Sequence, residues 1–328
     1  TWLYSDATNV WYADDAAIHL PTVSGSPTGQ LAGVQASVNN PPTLAYDYTN
    51  NAIYACTTTG TSVTAVFTNL NTLGVPLSAP QGLYKALTIK VATNTTVAVT
   101  AGGVLMYNAA STLFLTAAIN ATCNLGTSGV VNSLDTGTIA TDTIYYIYAI
   151  SNGTINGTLA SISSTSPTLP SGYVYFARIG AVRTIHASAT LFGTWQLGRN
   201  VQYVVGLAQT AALPIIASGI SGNVTTPVWT AFTVAANSGQ SAFAPLTASR
   251  IFVALQLNTN GGAIVAPNNS YGGQGSSTNA PPLYYNGGGT TTSISAIDAS
   301  LLLESTSIYY ASSAATNYLQ CLGWEDNL

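Results

Sequence analysis

Ile144-Tyr145-Tyr146-Ile147-Tyr148-Ala149-Ile150 has no polar group beyond its tyrosine hydroxyls, and Asn152-Gly153 and Asn156-Gly157 follow it closely. Aromatic and β-branched residues fit a pleated surface, so the run predicts a strand. Side chains of a strand alternate between two faces, and here both faces are apolar. Such a strand is central in a sandwich or lies in a subunit contact. Asn-Gly readily takes the positive φ angles of tight hairpins, so a chain reversal is expected after residue 150. The next strand is expected at 173–183, beyond the breakers Pro167, Pro170 and Gly172.

Working outward, the same period of two recurs. Leu87, Ile89 and Val91 share one face while Thr88 and Lys90 take the other, and Val97 and Val99 continue the pattern. Ile251, Val253, Leu255 and Leu257 alternate with Phe252, Ala254 and Gln256. No long amphipathic helix or fixed-period repeat is visible. Short apolar runs at 211–216 and 299–303 fit either one helical turn or a strand. The fold expected is all-β, with tandem β-sandwich-like domains. Three regions are expected: a β/loop region at 1–78, with a junction at Pro76 to Pro80; a central domain at 79–200; and a β-rich domain at 201–328. The last carries a long Gly-, Asn-, Ser- and Pro-rich segment at 258–289, read as a loop.

Composition limits the function. Only 5% of the 328 residues are charged, although 47% are hydrophobic. An average soluble domain has roughly 25% charged residues. Hydroxyls and amides therefore wet this surface, which depends little on salt or pH. The six basic residues (Lys85, Lys90, Arg178, Arg183, Arg199, Arg250) form no cluster, so no nucleic-acid partner is expected. Cys56, Cys123 and Cys321 lie far apart in odd number, which fits small core residues better than disulfides or a zinc site. The most apolar windows, 104–119 and 201–220, are broken by Asn108, Ser111, Gln202, Gln209 and Pro214, so no membrane insertion is expected. An outer-membrane β-barrel would also alternate, but its aromatic girdles are not evident. No basic segment followed by an apolar run opens the sequence at Thr1, so no signal peptide is expected.

Several blocks in order resemble a known group. Leu134-Asp135-Thr136-Gly137-Thr138, Tyr145 to Ile150, Ser166-Pro167-Thr168-Leu169-Pro170-Ser171-Gly172-Tyr173 and Ala177-Arg178-Ile179-Gly180-Ala181-Val182-Arg183 resemble a segment of tailed-phage virion proteins of the tail-fibre or receptor-binding type. The likeness continues loosely through Trp195 to Asn200. A second stretch, Tyr46-Asp47 to Ile53-Tyr54-Ala55-Cys56-Thr57, is similar to a short module near the start of many phage fibre proteins. The resemblance implies a non-enzymatic virion protein without a cofactor. It also implies homotrimeric assembly, contacts with other virion structural proteins, and a host-surface glycan as a possible receptor. A single chain is expected to leave apolar surface, including the 144–150 strand, for the trimer to bury. The alternatives are a decoration or cement protein of the capsid surface and a polysaccharide-degrading appendage.

Catalytic chemistry is thinly provided. Asp135-Thr136-Gly137-Thr138 spells the aspartic-protease signature once, whereas that chemistry needs two carboxylates sharing a proton. A turn ahead of a strand explains it as well. Glycosidases need paired acids; the pairs available are Asp14/Asp15, Asp135/Asp142, Asp298/Glu304 and Glu325/Asp326. His19 and His186 show no metal-ligand spacing. No catalytic or metal site is therefore expected. Sequons at Asn94, Asn120, Asn152, Asn156, Asn223 and Asn268 carry little information in so Asn- and Thr-rich a chain. Tyr271, Tyr284 and Tyr285 in the 258–289 segment are the candidate receptor-binding residues, because aromatic faces stack on sugars and loops on rigid scaffolds carry function. Packing at a subunit contact is the rival role for them.

Overall fold

The structure is a computed structural model. It describes residues 13–14, 17–18, 20–37, 41–50, 52–70, 83–111, 113–208, 210, 212–234, 242–257, 261–286 and 295–328. Among the described residues every regular element is a strand, and the protein is all-β. Contacts divide the chain into two compact units: residues 1–79 with 111–113, and residues 80–110 with 114–328.

The first unit holds β1 (Ala13–Asp14), β2 (Ala17–Ile18), β3 (Thr22–Val23), β4 (Leu44–Asp47), β5 (Ala52–Thr58) and β6 (Val66–Asn69). β3 to β6 form one sheet in chain order, around a small core of Ala45, Cys56, Ala65 and Phe67. The stretch that resembles the fibre module is the β4–β5 hairpin. Its turn is tied by the buried Asp47 carboxylate, which accepts hydrogen bonds from the N–H groups of Gly25, Thr49 and Asn50 and from the Asn50 side chain. Burial acts to raise the Asp47 pKa. The hydrogen bonds of the Asn50 side chain and of the three N–H groups outweigh it and hold the carboxyl below its ordinary value.

The second unit begins with β7 (Tyr84–Lys85), β8 (Thr88–Val91), β9 (Thr96–Asn108), β10 (Phe114–Ser128), β11 (Ser133–Leu134), β12 (Ile144–Ser151), β13 (Asn156–Ser161), β14 (Tyr175–Arg183), β15 (Phe192–Leu197) and β16 (Asn200–Ala208). It continues with β17 (Ile215–Ser218), β18 (Thr230–Thr233), β19 (Ala248–Leu257), β20 (Gly262–Ala266), β21 (Leu283–Asn286), β22 (Ser295–Leu302), β23 (Ser307–Ser312) and β24 (Tyr318–Asp326). The large sheet runs β10-β11-β13-β12-β14-β9-β8-β15-β16-β24-β19-β22, and β9 also pairs with β10. The first six strands therefore close a ring. Its inward residues form one apolar core that includes Val97, Val99, Met106, Leu125, Ile147 and Ile179. A transmembrane barrel, by contrast, has a polar lumen. The proposed boundary at 200/201 falls beside the β15–β16 turn, and the sheet passes through it from β15 to β24.

Strand β12 explains the opening heptad. Tyr145, Ile147 and Ala149 enter the ring core, while Tyr146, Tyr148 and Ile150 enter a second core enclosed by β16, β19, β24 and the four-stranded sheet β18-β23-β20-β21. Both faces are thus covered by this chain itself. The expectation that a lone chain leaves this strand exposed is corrected: its exposure runs from 0% to 7% across Tyr145–Ile150.

Two bulges keep the cores continuous. In β9 the buried residues are Val97, Val99 and Ala101 before Gly102-Gly103, but Val104 and Met106 after them, where β10 spends one residue fewer. In β24 the inward set changes from Leu319 and Cys321 to Trp324 and Asp326 across Leu322-Gly323. One extra residue reverses which parity faces inward, so a single period of two cannot describe either strand.

The 258–289 segment is not a structureless loop. Strand β20 within it is buried throughout, and β21 pairs with it. The connection at 267–282 is closely packed: the Gln274 N–H donates to the Val224 carbonyl, and a Cβ on Gly273 would lie 2.1 Å from the Thr225 carbonyl oxygen. Glycine there permits close backbone approach. The apolar runs at 211–216 and 299–303 contribute to strands β17 and β22 rather than helical turns.

Candidate functional site

Strand register builds one row of residues across six strands. Lys90 pairs with Trp195, Trp195 with Gln202, Gln202 with Gly323, Gly323 with Phe252, and Phe252 with Ser300. Their partners one step along each strand, among them Gln196, Val201, Trp324 and Ile251, are buried, so the row is the outer face of the sheet. Gly323 stands mid-row without a side chain, and the backbone admits none: a Cβ there would lie 2.0 Å from the Val201 carbonyl oxygen. The row is therefore hollow at Gly323, between Gln202 and Phe252.

That hollow is part of an open groove of about 590 Å³. Its apolar surface comes from Trp195, Leu197, Val204, Phe252 and Leu322, with Asn200, Gln202 and Ser300 supplying amides and a hydroxyl. Trp195 is 44% exposed and Leu197 59%. The Lys90 ammonium lies 4.9 Å from the Trp195 ring centroid, a cation–π contact that steadies the indole. None of the lining residues is titratable. Among the described residues that line it, the groove offers an aromatic platform, amides and a hydroxyl, with no carboxylate or imidazole.

The receptor-binding candidates from the sequence do not line this groove. Tyr284 and Tyr285 are on β21, so their side chains take opposite faces: Tyr284 is 51% exposed, while Tyr285 packs partly buried against the second core. Tyr271 is partly buried, and its carbonyl accepts the Trp229 indole N–H.

No family model, curated protein or solved structure matches this chain. Function must be read from side-chain geometry.

The acids are mostly engaged structurally. Asp135 is buried, and its two oxygens accept the N–H groups of Thr136 and Thr168, which fixes the Asp-Thr-Gly-Thr segment as a bend. Asp142 accepts the Ala242 N–H and faces His186 at 3.3 Å. Glu325 and Asp326 point to opposite faces, towards Arg250 and Arg178 respectively. Glu304 accepts the Asn268 amide. The side chains of Asp14, Asp15, His19 and Asp298 lie outside the described residues. Among the described residues, no three His, Cys, Asp or Glu side chains group to hold a metal. Reading the sequence missed Trp195 and Phe252 as a pair. The signal for Phe252 was present, because it belongs to the second face of the alternating 251–257 run.

Proposed function

We propose that this chain is a non-enzymatic structural protein of a tailed-phage particle, of the tail-fibre or receptor-binding type, with the Trp195 groove as its host-facing contact. The groove carries this reading: an exposed aromatic platform with neutral amides and a hydroxyl suits a host-surface glycan. Support also comes from the charge-poor composition and from the ordered resemblance at 134–184 and 46–57. Two sheets enclosing one core suit a β-sandwich. We place the protein in the virion as a homotrimer joined to other structural proteins. The trimer rests on the resemblance, since the 144–150 strand no longer argues for it.

Soluble protein should compete with particles for adsorption to host cells, and Trp195→Ala should abolish the competition without lowering Tm. Equal competition by the variant refutes the groove as the contact. Light scattering tests the trimer, which a well-folded monomer refutes. Image reconstruction of the particle tests the location, and density lying flat on capsomers would move the protein to a decoration role.

A further inference from the structure

Arg183, at the end of β14, is 1% exposed. Its Nε donates to the Thr184 carbonyl at 3.2 Å, but Nη1 and Nη2 have no hydrogen-bond partner, and Arg183 forms no ion pair with a described residue. Guanidinium cannot be deprotonated in a protein, so its burial must be compensated by an opposite charge or by strong acceptors. The Phe192 ring, with its centroid 4.9 Å from the guanidinium carbon, supplies only a weak cation–π contact.

Among the described residues no carboxylate forms an ion pair with Arg183. Tyr203 and Cys321 interact electrostatically with Arg183. Burial pushes the Tyr203 hydroxyl far up and the Cys321 thiol up to about 12, so both stay neutral. Their hydrogens are also committed, since both donate to the Phe243 carbonyl. Beyond Tyr203, whose ring contacts Phe192 at 5.1 Å and Trp324 at 5.4 Å, lies another orphan: the buried Trp324 Nε1 also has no partner. Both orphaned groups in this aromatic cluster are pure donors, and neither can accept. Water alone would leave the charge uncompensated, and 1% exposure denies access to a carboxylate of another chain.

We propose that Arg183 holds a small inorganic anion of halide size in the core of the second unit, at the in-plane edge of its guanidinium. The site is structural, and it is distinct from the surface groove. A shortage of surface charge makes it easy to test, because ordinary salt screening has little to act on here. With gluconate replaced stepwise by chloride at constant ionic strength, Tm of the full chain should rise by roughly 5 °C per hundred-fold chloride above the dissociation constant. Bromide should give a similar rise. Arg183→Met should flatten the response. Should that variant fail to fold, bromide anomalous scattering from crystals of the unaltered protein decides independently. A peak within hydrogen-bond distance of Nη1 or Nη2 is expected. Bromide at surface positions only, or a Tm indifferent to halide, overturns the proposal.

Discussion

Replacing Arg178 by Met should be among the most damaging single changes in the second unit. Arg178 Nη1 lies 2.8 Å and 3.0 Å from the two oxygens of Asp326, whose side chain has 0% exposure. The same nitrogen donates to Thr247 Oγ1 at 3.1 Å, Nη2 donates to the Asn327 carbonyl, and the guanidinium sits 5.8 Å from the Tyr146 ring centroid. The pair joins β14 to β24, which stand five places apart in the sheet order. It therefore fastens residues 79–200 to 201–328. Methionine keeps most of the aliphatic volume but leaves a buried carboxylate without its cation. Breaking a buried pair from one side costs about 3–5 kcal/mol, most of it the penalty of the orphaned charge.

Urea unfolding followed by tryptophan fluorescence and far-ultraviolet dichroism measures that cost. The double variant Arg178→Met with Asp326→Asn is the control, because it removes the charge that the single variant strands. It should recover at least half of the lost stability, giving a coupling of about 2 kcal/mol or more. A loss under about 1 kcal/mol for Arg178→Met would mean that water reaches Asp326 and the pair behaves as a surface bridge. A double variant no more stable than the single one would place the damage in lost packing.

Three further outcomes are expected. The Asp47 carboxyl is held below its ordinary pKa, so its contribution is fully present above the unfolded-state value of about 4 and is lost as pH falls through the folded value. An acid-side decline in the protection of β4–β5 amides should therefore appear, and Asp47→Asn should remove its pH dependence; a protection that stays flat to pH 2 refutes it. All three thiols are buried, and burial pushes Cys123 and Cys321 up to about 12, so alkylation at pH 8 should modify none in the native protein and all three in urea. Tyr284→Ala should change stability by no more than about 0.5 kcal/mol, whereas Tyr285→Ala should cost about 2 kcal/mol through its packing on the core. Equal effects would show that the two side chains do not face opposite ways.

Strand identity was legible where the period of two is unbroken. Ile89 and Val91 in β8, and Ile251, Val253 and Leu255 in β19, take the expected inward face, and β19 also carries Phe252 on the opposite one. The period became illegible at Gly102-Gly103 and Leu322-Gly323, because a bulge reverses the parity within one continuous strand. Strand β20 was hidden for a different reason. Gly262-Ala263-Ile264-Val265-Ala266 is buried on both faces, so it shows no alternation and sits among turn residues. The groove depends on the register of six strands drawn from residues 88 to 326, and no local pattern specifies which residues become neighbours across them.

The 144–150 strand shows why apolar content alone is poor evidence for assembly. Two apolar faces state that two layers cover the strand, but not which chain supplies them. Here β9 and β10 contribute to one layer, and β19, β23 and β24 to the other, all from the same chain. Exposed apolar side chains such as Val63, Ile162 and Ile220 are by themselves ordinary on a protein surface. Trp195 and Leu197 are exposed side by side on one face with Phe252 and Leu322 beside them, in a register that Gly323 keeps hollow. Contiguity, rather than hydrophobicity, separates a contact surface from background, and by that criterion the Trp195 groove carries the functional reading.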